Sequence, residues 1–365
     1  MAKKQNKSAL SVSEGVLQPS PVNERAIENF KKNKKELPSP DTLYQGILSG
    51  KRTILSQAIT MIESSLPEHQ DIAQEIIRLC LPHSGNSLRI GITGVPGAGK
   101  STFIESFGNY LVSSGHKIAV LAIDPSSERS GGSILGDKTR METLAGDENA
   151  FIRPSPSGGT LGGVARKTRE SIILCEAAGY DTIIVETVGV GQSETTVHSM
   201  VDFFLVLMIP GAGDELQGMK RGIMEMADAI IINKADGDNI EAANRSKTEY
   251  SNALHLFPLP PSQWAPEVRT CSAIEESGIA EIWDMISKYR IFTSENGFFS
   301  SRRAEQSSYW MYQTLTEGLK MRFFNEPAVQ KRLLELETLI KEEQLSSFAA
   351  ASELLNQFLP PGKKH

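Results

Sequence analysis

Cysteine is scarce, with three in 365 residues at Cys80, Cys175 and Cys271 and no CxxC pair. That argues against a disulfide framework and fits a reducing compartment. The six histidines (His69, His83, His116, His198, His255 and His365) are scattered, so no His-rich or Cys-bearing site for a soft metal cargo such as nickel is visible. Positive charge is not in excess. Lys and Arg number 38 against 44 Asp and Glu, a net charge of −6, which disfavours sequence-independent nucleic-acid binding. The local basic run over 31–35 reads as a solvated tail. No apolar stretch approaches the roughly 18 residues of a membrane span, so no membrane association is expected. The N-terminal segment lacks a signal-peptide apolar core. It carries Glu14, Glu24 and Glu28, whereas transit peptides are poor in acids, and a cytoplasmic protein is expected.

What is present is a phosphate-binding loop. Gly94-Val95-Pro96-Gly97-Ala98-Gly99-Lys100-Ser101 fits G-x-x-x-x-G-K-[ST], with Thr102 following. An apolar run (88–93) precedes it and a helical stretch (101–111) follows, the context this motif requires. Backbone N–H groups of such a loop face anionic phosphates. Lys100 would reach the β/γ oxygens, and the Ser101 hydroxyl would ligate Mg²⁺.

A second motif, Asn233-Lys234-Ala235-Asp236, follows the apolar run 229–232. In an N-K-x-D turn the Asp236 carboxylate can accept hydrogen bonds from guanine N1–H and N2–H₂. Adenine offers no such donor pair, so discrimination rests on unpaired polar groups. Asn233 would steady the loop or meet N7, and the Lys234 stem would lie along the base. Ser272-Ala273-Ile274 is placed to offer backbone N–H groups to guanine O6. The two motifs together specify GTP.

Carboxylates supply the metal chemistry. Glu186 closes a strand and precedes Thr187-Val188-Gly189, where a Walker-B acid holds Mg²⁺ or its water, and Gly189 can donate to a γ-phosphate. Asp124 ends another strand, and Asp137 follows a glycine-rich stretch (130–136). Both suit a hard cation that prefers oxygen ligands. Many small GTPases place a glutamine directly after the glycine to orient water. Here Val190 stands there and Gln192 comes two residues later, so slow intrinsic hydrolysis is expected. Arg129, Lys138 and Arg140 rank below these groups as charge neutralisers.

The remaining chain organises around this centre. Residues 1–38 read as a flexible tail and 39–86 as a helical arm, with Leu55, Ile59, Ile62 and Leu66 on one helical stripe. Residues 87–292 alternate strands (88–93, 117–123, 150–153, 181–186, 201–209, 229–233 and 267–271) with helices. That is the α/β pattern of a P-loop NTPase with a mostly parallel sheet flanked by helices. Residues 293–365 form a C-terminal helical region. There Val329, Leu333, Leu336 and Ile340 make a short heptad seam that packs on the parent domain or mediates a homodimer. The segment 211–222, rich in glycine and mixed charge, reads either as a connecting loop or as a segment reporting nucleotide state.

The ordered segments Gly94–Thr102, Ile123–Ser127, Gly131–Met141, Val185–Glu194, Pro210–Gly218 and Asn233–Asp236 closely resemble the MeaB/ArgK family of methylmalonyl-CoA mutase-associated GTPases. The resemblance covers roughly residues 43–340. It implies a homodimeric GTPase that acts as chaperone for an adenosylcobalamin-dependent acyl-CoA mutase, gating cofactor loading and protecting the enzyme. By position it implies Ser101, Asp124, Asp137 and Glu186 as Mg²⁺ and switch residues, Asp236 as guanine reader and 211–222 as a third switch. An older family label, lysine/arginine/ornithine transport ATPase or kinase, conflicts with the guanine motif. ATP-dependent kinase and nickel metallochaperone are the alternative readings.

Overall fold

The computed structural model describes residues 37–123, 141–154, 161–187, 193–211 and 221–358. Met1–Ser39 and Pro40–His365 are separate units, and every element below belongs to the second. Seven strands form one sheet: β1 (Leu88–Gly94), β2 (Ile118–Ile123), β3 (Ala150–Arg153), β4 (Thr182–Thr187), β5 (Phe203–Met208), β6 (Ala229–Ile232) and β7 (Glu267–Thr270). Their order is β3-β2-β4-β1-β5-β6-β7, and every neighbouring pair is parallel. All the strands expected from sequence are there, with small shifts at their ends.

Both sheet faces are covered, which explains the continuous apolar runs. Successive side chains alternate between two cores: Ile183 and Val185 enter one, Ile184 the other. Phe204 and Val206 likewise oppose Phe203, Leu205 and Leu207.

Three helices precede the sheet: α1 (Pro40–Leu48), α2 (Arg52–Glu63) and α3 (Pro67–Cys80). Between strands lie α4 (Lys100–Ser113), α5 (Glu142–Gly146), α6 (Leu161–Ala177), α7 (Ser193–His198), α8 (Arg221–Met226) and α9 (Ile240–Leu254). After β7 come α10 (Ile279–Glu295), α11 (Phe298–Asn325), α12 (Pro327–Lys341) and α13 (Ser347–Phe358).

The apolar stripe of α2 covers the sheet domain through Leu55, Ile59 and Ile62, all buried. Leu66 departs from the expected stripe, being 56% exposed. It precedes Pro67, whose ring disfavours helical backbone in the residue before it, so the helix stops short of Leu66. An Arg153–Glu63 ion pair and a bond from Arg52 to the Asp147 carbonyl (2.8 Å) add polar ties.

The C-terminal seam closes within the chain. Val329 and Leu336 of α12 pack against Ala350 and Leu354 of α13, with Leu333 and Ile340 partly buried beside them. Helix α11 buries no residue fully along its 28 positions and is held by polar anchors instead. Arg303 pairs with the buried Asp202 (2.7 Å) and donates to the carbonyls of Gly85 and Ser87. Gln306 donates to the Val201 carbonyl (2.8 Å), and Trp310 to that of Ser199 (3.2 Å).

Candidate functional site

The central strand β1 lies between β4 and β5; the chain runs from β1 to β2 on one side and from β5 to β6 on the other, so the winding reverses at the carboxyl end of β1. In parallel sheets this switch point is where ligands bind. The loop 94–99 sits there, between β1 and the N-terminus of α4. Two glycines are obligatory. A Cβ on Gly94 would stand 2.3 Å from the Leu207 carbonyl oxygen. Gly99 takes φ of 82°, and a Cβ there would meet Asn233 Nδ2 at 2.9 Å. Ala98 is buried, Pro96, Gly97 and Thr102 are exposed, and Val95, Lys100 and Ser101 are half-buried at the loop and the helix start.

Lys100 Nζ donates to the Gly94 carbonyl at 3.0 Å, tying the loop to itself. Burial lowers its proton affinity, while the carboxylates of Glu186 and Glu194 oppose that shift. Glu186 is buried near the end of β4, in register with Ile92 of β1 and Ala122 of β2. Beyond it, the Thr93 and Thr187 hydroxyls hydrogen-bond at 2.8 Å, joining the ends of β1 and β4.

The second motif lies beside the first because β6 and β7 extend the same sheet edge. Asn233, 1% exposed, joins three loops. Its Nδ2 donates to the Ala98 carbonyl (2.8 Å), and its Oδ1 accepts from the Ala273 N–H (3.1 Å) and the Cys271 thiol (3.5 Å). Burial pushes the Cys271 thiol up to about 12, so it stays a neutral donor. Lys234 adopts left-handed backbone (φ 60°), and a Cβ on Gly99 would lie 3.9 Å from its Cε, so the lysine stem reaches the phosphate-loop side. Ser272 Oγ donates to Asp236 Oδ2 at 2.5 Å, which fixes the carboxylate's rotation. Ile274 is exposed at the rim.

The structure therefore brings together Gly94 to Thr102, Glu186, Asn233, Lys234, Asp236 and Ser272 to Ile274. Asp124, Asp137, Gly189 and Gln192 lie outside the described residues, as do Val190, Arg129, Lys138, Arg140 and 212–220. One sequence expectation is modified: the Ala273 N–H, offered to guanine O6, is already taken by Asn233. Two features of the site are not legible in the sequence. Glu194, buried and electrostatically coupled to Lys100, carries no motif position of its own. The Thr93–Thr187 pair had no sequence signal, because it depends on strand register.

Asn233→Ala strips donors and acceptors from three loops and leaves the Ala98 carbonyl and Ala273 N–H unpaired. A loss of about 2–3 kcal/mol is expected in urea unfolding of the nucleotide-free protein. Unchanged stability would contradict the stapling role.

The family model described as methylmalonyl Co-A mutase-associated GTPase MeaB matches residues 55–328. The chain belongs to the MeaB family. It is 52% identical to a Caulobacter vibrioides protein named putative GTPase over 318 residues, 87% of this chain and 97% of that one. Its identity to the Escherichia coli protein named GTPase ArgK is 52% over 278 residues, 76% and 84% of the two chains. The mouse protein named methylmalonic aciduria type A homolog, mitochondrial, is 45% identical over 334 residues, covering 89% and 80%. Among solved structures, one titled LAO/AO transport system kinase superposes with a TM-score of 0.70 at 37% identity, covering 94% of this chain and all of that one. The chain is thus a P-loop GTP hydrolase with a guanine-nucleotide site, and the expected fold class stands. Among the described residues no helix is long and apolar enough to cross a membrane.

Proposed function

We propose that this MeaB-family member is a Mg²⁺-dependent GTPase that serves as chaperone and gatekeeper for an adenosylcobalamin-dependent acyl-CoA mutase of the methylmalonyl-CoA type. GTP binding and hydrolysis are coupled to loading and protection of the mutase's cofactor. The observation that carries the reading is the family match over the nucleotide domain, since the family description names the mutase. The name of the mouse relative points the same way.

The site supports the nucleotide half of this reading in physical terms. Loop N–H groups between Gly94 and Ser101, Pro96 excepted, receive the phosphates, and Lys100 exchanges the Gly94 carbonyl for the β/γ oxygens. The donor set fits a hard cation: the Ser101 hydroxyl lies in the first turn of α4 and the buried Glu186 carboxylate near the end of β4, both oxygen donors. Ser101 and Glu186, with Asp124 and Asp137, would hold Mg²⁺, whose charge would offset that of the phosphates. Asp236 selects guanine, steadied by Ser272. Val190 cannot orient water, so Gln192, another loop or a partner supplies that function, and intrinsic hydrolysis is slow. Asp236 also weighs against the ATP-dependent transport-kinase reading.

A homodimer fits α11. Tyr312, Leu315 and Leu319 recur on one face and are 65%, 54% and 63% exposed. Apolar stripes of this kind seek a partner surface, and a second copy offers the same one. The decisive experiment is capture of the GTP-loaded protein's partners from lysate, followed by GTP turnover with the purified mutase. A mutase that raises the turnover rate supports the proposal. One that binds neither nucleotide state and leaves the rate unchanged sinks it.

A further inference from the structure

Lys100 carries three N–H donors on a flexible four-carbon stem, so a fixed aim requires anchors. One is the Gly94 carbonyl at 3.0 Å. Two buried carboxylates, Glu186 and then Glu194, act on the same ammonium against the effect of its burial. They reach it from opposite faces of the sheet. Glu186 shares a face with Ile184 and the α4 residues Phe103 and Ile104, whereas Val197 of α7 packs in the other core with Val185 and Phe204. Gly91 sets how closely α7 lies on β1, since a Cβ there would stand 2.8 Å from Val197 Cγ1. The chain passes from the carboxyl end of β4 through α7 to the amino end of β5, so α7 runs back along the sheet. Glu194, three residues before Val197 on the same helix face, therefore stands about 4.5 Å nearer the phosphate loop than Val197 does.

The other end of α7 is gripped by α11. Arg302 Nη2 donates to His198 Nε2 at 3.0 Å and to the His198 carbonyl at 3.2 Å. Burial and the Arg302 charge push His198 down to about 3, so its ring is neutral and can accept. Just beyond, the Ser199 and Val201 carbonyls accept from Trp310 (3.2 Å) and Gln306 (2.8 Å). A helix of six residues is too short to fix its own position, so its place is set by what holds it. We propose that α7 is a positioning element for the phosphate-loop lysine: Glu194 aims Lys100 from one end, and α11 fixes the other end through Arg302 and His198. Glu194 is thus a positioning residue that acts through Lys100 and does not itself meet the nucleotide. The inference rests on the role of Lys100 in the proposed function and adds to it a link from α11 to the phosphate loop.

The test is single-turnover GTP hydrolysis by the full-length chain. Lys100→Ala, Glu194→Gln and Arg302→Met are made singly, and the last two also in the Lys100→Ala background. Glu194→Gln is expected to lower the rate at saturating GTP at least about tenfold, because a slight misplacement of a reacting group is costly. Arg302→Met, acting at the far end of α7, should lower it at least about threefold. In the Lys100→Ala background neither substitution should change the rate by more than about twofold, since the group they position is gone. A defect that merely inactivates part of the protein would cut the rate by the same factor in both backgrounds, and that result overturns the proposal. So does a wild-type rate in Glu194→Gln or in Arg302→Met. Should Glu194→Gln fail to fold, Arg302→Met in the two backgrounds decides on the same terms. A wild-type rate in Lys100→Ala would remove the role of Lys100 and this inference together, whereas a slow Lys100→Ala with undiminished further losses removes this inference alone.

Discussion

Lys100→Ala is expected to lower the turnover number for GTP by about 10²–10³-fold, the cost of removing one preorganised group from charge developing in a transition state. The residue is suited to this role by its environment. Its ammonium is partly buried, its proton affinity is reduced by that burial, and the Glu186 and Glu194 carboxylates keep it charged. With no nucleotide it makes one hydrogen bond, to the Gly94 carbonyl at 3.0 Å. Losing that bond costs about 1 kcal/mol, so the variant should fold, and a thermal melt separates lost chemistry from lost structure. Single-turnover hydrolysis by the well-folded variant at the wild-type rate would remove Lys100 from the reaction.

Asp236→Asn should lower kcat/KM for GTP by about 10⁴-fold, the scale on which a site rejects a partner that leaves buried polar groups unpaired. The amide presents a donor where guanine N1–H and N2–H₂ also donate, whereas xanthine presents an acceptor there. XTP turnover should therefore rise as GTP turnover falls. Ser272 sharpens the expectation: its hydroxyl donates to Asp236 Oδ2 at 2.5 Å and holds the side chain in one rotation. In the variant the hydroxyl can rotate to keep one bond, so the loop should keep its shape. Competition between GTP and XTP for turnover measures the switch. Unaltered GTP preference would show that the base is read elsewhere.

The parts of the site legible in sequence were those whose chemistry is contiguous. The phosphate loop needs glycines, a lysine and a hydroxyl within one turn, and the strand and helix flanking it carry their own periodicities. The buried strands announced themselves as unbroken apolar runs because both faces of the sheet are covered. Asn233 shows where such reading stops. Its motif placed it at the base, yet its bonds to Ala98 and Ala273 come from loops distant in sequence. Glu194 is similar: it reaches the neighbourhood of Lys100 only because β1 and β4 are adjacent in the sheet.

The C-terminal helices make the same point through packing. The heptad seam of α12 is real in its spacing, but spacing cannot say which apolar surface fills it. Here α13 does, through Ala350 and Leu354. Helix α11 bears so little buried apolar surface that no periodicity foretold its docking, which rests on Arg303 and buried Asp202.

Sequence alone determined the family, the sheet, the nucleotide chemistry and the choice of guanine, because local spacing and residue type encode each of them. Tertiary structure alone decided which loops Asn233 ties together, what covers the C-terminal seam, and that Arg303 of α11 meets the buried Asp202. Those outcomes depend on strand order and helix docking, which bring together groups whose separation along the chain carries no signal.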